Sequence, residues 1–434
     1  MWSMNRPTML PSVVLVLLAL GSSAVDQAAA DRSLVYVTVL FRHGDRSPVK
    51  AYPTDPYQES AWPQGFGQLS QEGMKQHYNL GQFLRGRYNG FLNETYKRQE
   101  VFVRSTDYDR TLMSAEANLA ALYSPSGQQI FNPDLKWQPI PVHTVPQDQE
   151  KLLSFPMGNC PRYKQLMTET EHSPEFINVT NTYLDFIDMV QNKTGQNNTN
   201  VENVWSVYDT LFCESCHNLT APPWVTIDVM EKLKILKDFA FQIMFGVYKH
   251  QEKSRLQGGV LLGEIVANLS KRATPNSNQP LKMMMLSAHD TTVVALQSSL
   301  SVFNGIQPPY ASCHMIELYR DDNGSMSVSM FYRNDSRVAD PYPLALPGCA
   351  QDCPLEDFIR ITRPFIPDDW EKECQVPSFF NDKEVMVALA VFSSFMILLL
   401  VLIIGLLCRQ KQPINSQGYH HVTNQEGVGD EYHS

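Results

Sequence analysis

Residues 34–41 read Leu-Val-Tyr-Val-Thr-Val-Leu-Phe, and the run stops abruptly at Arg42-His43-Gly44-Asp45-Arg46. A stretch so rich in β-branched and aromatic residues reads as one buried strand of a parallel-type α/β sheet. In open sheets of that kind ligands bind beyond the carboxyl ends of the strands, so the loop after Phe41 is a candidate site. It holds one imidazole between two guanidiniums. Arg42 and Arg46 offer permanent charge and planar, forked donors that match phosphate oxygens. His43 is the group in the loop able to attack phosphorus as a neutral base. Gly44 is expected to let the backbone approach the ligand and to adopt angles closed to other residues. A bare Arg-His-Gly also suits a solvated turn after an edge strand, so the rest of the chain has to decide.

The same logic recurs twice. A short strand at 100–103 runs into Arg104-Ser105-Thr106-Asp107-Tyr108-Asp109-Arg110-Thr111, followed by a helical pattern over 112–122. Helix N-termini bind anions through unpaired amides, and Arg110 lies beside such a start. A third strand at 281–286 ends in Ser287-Ala288-His289-Asp290. Splitting a phosphate ester requires a proton on the leaving oxygen, which is work for a carboxyl such as Asp290, with His289 as a phosphate contact. Read alone, Asp290 equally well caps the helix that begins at Thr291.

Periodicity places helices over 69–92, capped by Ser70, and over 225–248 and 253–268. A hairpin pairs 316–319 with 326–332 through Asp321-Asp322-Asn323-Gly324. Between 135 and 249, proline clusters, Trp205 and Trp224 point to a smaller, mainly helical unit inserted between the halves of the sheet.

Taken with their context, Arg42, His43, Gly44, Arg46 and Pro48 resemble the RHGxRxP signature of the histidine acid phosphatase family. His289-Asp290 resembles its second signature. The resemblance extends through residues 62–67, 137–146 and 309–314, and is nearest to the membrane-bound lysosomal- and prostatic-type branch. It implies an α/β fold with a central mixed sheet flanked by helices and a smaller helical domain. It also implies His43 as the phosphorylated nucleophile and Asp290 as proton donor, with Arg42, Arg46, Arg110 and His289 on the phosphate. Arg110, not Arg104, matches the third phosphate-binding arginine. No cofactor or metal is implied, and a homodimer is.

The remaining features concern topology. Residues 1–30 have Arg6, an apolar run over 13–20 and a small-residue end at Ala28-Ala29-Ala30, which reads as a cleaved secretory signal. Residues 385–407 carry no charge and suffice to cross the ~30 Å hydrocarbon layer. The expected organisation is a luminal phosphatase domain at 31–383, a transmembrane helix at 384–408 and a cytosolic tail at 409–434. Within the luminal domain the α/β core is expected at 31–134 and 250–375, and the helical unit at 135–249. Acceptor sequons begin at Asn93, Asn178, Asn192, Asn197, Asn218, Asn268, Asn323 and Asn334, all between signal and span.

Seven luminal cysteines in an oxidising compartment point to structural disulfides, which spacing alone does not pair. The resemblance implies Cys160–Cys374, Cys213–Cys313 and Cys349–Cys353, with Cys216 left unassigned. Cys408, at the inner membrane face, is a candidate for palmitoylation. In the tail, Tyr419 and Val422 resemble a tyrosine-based internalisation signal read by cytosolic sorting adaptors.

The excess of acids over bases, 45 against 35, argues against nucleic acid as a partner. The expectation is a type I protein of the lysosome membrane that hydrolyses orthophosphoric monoesters. The alternatives are a cell-surface or endosomal phosphatase acting on nucleotides or phosphoproteins, a phosphomutase or phytase of the wider group, and an inactive endocytic receptor.

Overall fold

The computed structural model describes residues 32–154, 160–274, 280–335, 337–338, 340–376 and 383–410. The expected signal at 1–30 and the sorting residues Tyr419 and Val422 lie outside them. The chain divides into two units, Met1–Cys374 and Gln375–Ser434.

The first unit opens with β1 (Ser33–Arg42), α1 (Gln71–Arg87), β2 (Val101–Ser105) and α2 (Asp109–Leu122). Six helices follow: α3 (Pro161–Glu171), α4 (Pro174–Thr194), α5 (Trp205–Cys216), α6 (Ile227–Phe245), α7 (His250–Gln257) and α8 (Gly259–Ala273). Then come β3 (Met283–Ala288), α9 (Asp290–Ser299), β4 (Cys313–Arg320), β5 (Met326–Arg333), β6 (Tyr342–Leu344) and β7 (Asp352–Pro354). Short helices α10 (Leu355–Thr362) and α11 (Trp370–Glu373) close the unit. In the second unit α12 (Lys383–Gln410) contains a span, Val385–Arg409, long and apolar enough to cross a membrane.

The sheet order is β2-β3-β1-β4-β5-β6, with β7 also on β5. β2, β3 and β1 run parallel, while β4 to β7 pair antiparallel, so the sheet is mixed. Successive strand residues face opposite sides, and both sides are covered. Tyr36 and Leu40 join Met284 and Leu286 in a core closed by α8, α9 and α10. Val37, Val39 and Phe41 join Met283 and Met285 in a second core under α1 and α2. That double burial is why β1 and β3 read as continuous apolar runs.

α1 is shorter than its periodicity suggests. The Ser70 hydroxyl accepts from Gly73 N at 3.0 Å, and Leu69 instead bridges to Arg46. The single helix expected over 253–268 is two, broken at Gly258. There a Cβ would lie 2.2 Å from Ala295 O, so backbone packing against α9 overrides the pattern. In the helical region, α-helix begins only at Pro161; α4, α5 and α6 share a core that also takes Tyr52 from the loop after β1.

Cys160 is bonded to Cys374 and Cys349 to Cys353, but Cys213 and Cys313 are free thiols, correcting the implied Cys213–Cys313 pairing. Cys313 points into the core beneath α1 and α2, whereas Cys213 on α5 points at the Tyr310 hydroxyl, 3.4 Å away. Cys216 is free and exposed. Of the sequon asparagines, Asn268 and Asn334 are half-buried and the other six exposed.

Candidate active site

Strand register assembles the site. β1 and β3 pair with Arg42 opposite Ala288, which places His43 and His289 side by side although 245 intervening residues separate them in the chain. His43 N donates to Ala288 O at 2.9 Å, and the two imidazole centroids are 5.6 Å apart. β2 pairs with β3 with Ser105 opposite Ser287, and Thr106 N donates to Ser287 O at 3.1 Å. The loop carrying Arg110 thereby reaches the same edge. Three parallel strands thus deliver His43, Arg110, His289 and Asp290 to one place.

His43 is buried, and its Nδ1 lies 2.8 Å from Gly44 O. A carbonyl only accepts, so in the neutral ring Nδ1 carries the hydrogen and Nε2 keeps the lone pair. Burial, then the charges of Arg42, Arg46 and Arg110, hold His43 well below the ordinary histidine range. The ring therefore stays an unprotonated nucleophile in acid. Gly44 serves this loop differently from expectation. Its φ is not in the left-handed region, and a Cβ there would lie 2.4 Å from Gly73 O, so glycine is required for close packing on α1.

The guanidiniums divide by partner. Arg42 Nη2 pairs with Asp290 Oδ2 at 3.0 Å, Arg42 Nη1 donates to Pro308 O at 2.6 Å, and the group lies 4.3 Å from the centre of the Tyr310 ring. Arg46 donates from Nη1 and Nη2 to the two oxygens of Asp209 at 3.1 and 3.0 Å. Arg110 is different. Its Nε is buried without a partner, its guanidinium stacks over Tyr108 at 4.7 Å, and burial followed by Arg46 pushes it down to about 10. Three cations against two carboxylates leave an excess of one positive charge, suited to an anion. Arg104 lies away from this centre, held by both oxygens of Glu150 at 2.8 and 2.9 Å.

His289 Nε2 meets the Thr106 hydroxyl at 3.0 Å, and burial followed by Arg110 holds it down at about 3. Asp290 Oδ1 accepts from Thr291 N at 2.7 Å and Oδ2 from Gln307 Nε2 at 2.7 Å. Burial opposes its ionisation, but Arg42 and the Gln307 hydrogen bond prevail and lower it below the usual carboxylate range. Without ligand, Asp290 therefore gives up its proton more readily than an ordinary carboxyl.

His43, Arg46, Arg110, His289 and Asp290 line one cavity of about 530 Å³. Its outer wall, Met167, Trp205, Phe241, Ile243 and Met244, comes from the helices inserted between β2 and β3. Sequence reasoning missed Asp209, Gln307 and this wall. An Asp within an amphipathic helix reads as a surface charge, and nothing local marks it as the partner of Arg46.

The histidine phosphatase superfamily (branch 2) pattern matches residues 33–333. The chain is 58% identical over 396 residues to lysosomal acid phosphatase of Rattus norvegicus, covering 91% of this chain and 92% of that protein. It is 52% identical over 361 residues to prostatic acid phosphatase of Homo sapiens, covering 83% of this chain and 92% of that one. Among solved structures, the apo form of Hafnia alvei phytase superposes with a TM-score of 0.61 at 19% identity, over 81% of this chain and all of that one. A likeness at that identity concerns the fold. With the two signatures meeting at one sheet edge, these matches establish that the chain belongs to branch 2 of the histidine phosphatase superfamily.

Proposed function

We propose that this chain is an acid phosphatase that hydrolyses orthophosphoric monoesters in two steps through a phosphohistidine at His43. The observation that carries the reading is the tautomer. The Nδ1–H of His43 is committed to Gly44 O, which leaves the Nε2 lone pair facing a cavity that also holds Arg110, the one site guanidinium without a carboxylate partner among the described residues. In the first step Nε2 attacks phosphorus, the ester P–O bond breaks, and the leaving oxygen takes a proton from Asp290. In the second, water attacks phosphorus and gives its proton to Asp290, and the P–N bond breaks, returning the lone pair to His43. Orthophosphate leaves with the enzyme restored. Arg42, Arg46, Arg110 and His289 surround the phosphoryl oxygens, where positioned charge is the main contribution to phosphoryl transfer.

The acid requirement follows from two opposed perturbations. His43 remains neutral as pH falls, because burial and three guanidiniums disfavour its cation. Asp290 needs a proton that Arg42 and the Gln307 hydrogen bond make harder to hold in the ligand-free site, and low pH supplies it. A phosphate dianion beside it competes for Arg42 and adds negative charge, both of which raise the proton affinity of Asp290.

For location we infer a single-pass, type I protein of the lysosome membrane, with the catalytic unit luminal. Support comes from the name of the relatives, the apolar helix α12 and the confinement of sequons to the chain before it. Hydrolysis of an aryl phosphate across pH by the full chain in detergent, with chelator and beside His43→Ala, tests the enzymatic reading. Turnover peaking in acid, an acid-labile phosphoprotein on quenching and loss of both in the variant are expected. A folded, glycosylated sample without turnover, or one active without His43, overturns it.

A further inference from the structure

The loop between α9 and β4 holds both members of the Arg42–Asp290 pair. Gln307 Nε2 donates to Asp290 Oδ2 at 2.7 Å, and the next carbonyl, that of Pro308, receives Arg42 Nη1 at 2.6 Å. Tyr310, three residues on, lies against the Arg42 guanidinium. The loop is itself tied to α6. Gln307 N donates to Asp238 Oδ1 at 3.0 Å, Lys237 Nζ meets the same oxygen at 2.7 Å, and Gln242 Nε2 donates to Gly305 O at 3.0 Å. Gly305 takes φ +81°, a left-handed conformation that brings its backbone against Gln242. Gln307 is followed by two prolines, whose fixed φ limits how far the segment can move. Its side chain therefore reaches the active cavity from a braced position.

We propose that Gln307 is a positioning residue for Asp290, anchored on α6, which orients the carboxyl and sets the pH below which it serves as the general acid. The inference rests on Asp290 being the proton donor. An amide suits this place because it can turn over: its NH₂ donates to the carboxylate, and its oxygen accepts from the acid once the proton has arrived. Neither a hydrocarbon nor a carboxylate serves both states. The other charged groups facing Asp290 are Arg42 from β1, Arg46 from the loop after it, Arg110 from α2 and adjacent His289. All remain in the variants below.

The sign follows from the donor. The amide serves both states, but its charge-assisted bond to the carboxylate is about twice as strong as the neutral bond to the acid. The net effect of Gln307 favours the ionised carboxyl, so Gln307→Leu raises the proton affinity of Asp290 and keeps the acid protonated to higher pH. The alkaline limb of kcat/KM should move up by about half to one pH unit. Gln307→Glu sets two carboxyls face to face and should move it further, by more than about one unit. Because orientation is lost with the donor, kcat for alkyl phosphates should fall about tenfold in Gln307→Leu, more than for nitrophenyl phosphate, whose leaving group needs no proton.

The test is the pH dependence of kcat/KM for both ester types, using the full chain in detergent as wild type, Gln307→Leu, Gln307→Glu and Asp290→Asn. Upward shifts in the order Leu then Glu support the assignment. A lower kcat with an unmoved alkaline limb in both Gln307 variants makes the residue merely structural and overturns it. Asp290→Asn separates the two readings. If that variant loses all esters equally, the donor role itself fails. If it selectively loses alkyl esters while the Gln307 variants keep the wild-type pH profile, only the present inference fails.

Discussion

Raising the pH should loosen the attachment of the loop after the nucleophile to α5, by an amount that follows from two buried carboxyls. Glu214 on α5 is 1% exposed and Asp55 in the loop 5%. Both oxygens of Glu214 and Oδ2 of Asp55 are buried without a donor, although the two side chains are in hydrogen-bonding contact. Two acceptors meet in this way only if one carries a proton. Asp55 Oδ1 already accepts from Tyr57 N at 2.8 Å, so the proton belongs to Glu214. Burial, then the charge of Asp55, pushes Glu214 up to about 8.

A carboxyl in the unfolded chain titrates near ~4.3, so the folded state holds the proton more tightly. The resulting stability is fully present below ~4.3, declines as pH rises and is gone above the folded value. The whole shift corresponds to ~5 kcal/mol; halving it for screening and for sharing with Asp55 leaves roughly 2 kcal/mol. At ~2.1 cal/mol/K of unfolding entropy per residue, a chain of this size changes its Tm by about 2.5 °C for that energy. Glu214→Gln replaces the shared proton with an amide N–H that donates to Asp55 at every pH. Thermal unfolding of both proteins from pH 4.5 to 8 isolates the effect, since other titrating groups cancel in the difference. Wild type should lose about 2.5 °C relative to the variant across that window. Parallel curves would mean that Glu214 ionises like an ordinary carboxyl, and the reasoning would be wrong.

Three further outcomes are expected. Arg110→Leu removes one of the charges that suppress the His43 cation, so the acid limb of kcat/KM should move toward neutral pH while kcat/KM falls about 10²-fold or more. Asp209→Asn strips the counter-charge from Arg46, and inorganic phosphate should inhibit about tenfold more tightly while unfolding by denaturant shows a loss of about 3 kcal/mol. Gly44→Ala drives a Cβ into the backbone of Gly73 and should lower stability by about 3 kcal/mol or more, with activity lost in the same preparation.

Much of the reaction centre could be read along the chain because it sits on strand ends. Apolar runs of β-branched and aromatic residues mark strands, and polar residues that interrupt them mark the loops where ligands bind, so His43, Arg110, His289 and Asp290 stood out by position. What failed was whatever depends on a distant partner. Cys213 and Cys313 lie on elements whose facing directions no spacing encodes. The helix break at Gly258 and the close packing of Gly44 reflect neighbouring backbone from α9 and α1. The lowered proton affinity of Asp290 could not be read along the chain, because Arg42 and Gln307, which favour its ionised form, approach from β1 and from the loop before β4.

By itself the sequence determined the sheet-and-helix class, the chemistry offered by one histidine among arginines, and the apolar span near the carboxyl end, since these follow from local composition and period. The tertiary structure alone decided which arginine is left for the ligand. Arg46 carries the same charge as Arg110, yet Asp209 reaches it from a helix inserted 163 residues away in the chain, while no carboxylate pairs with Arg110 among the described residues. A guanidinium's availability is set by what lies within ~4 Å of it, and only folding brings those groups to that distance.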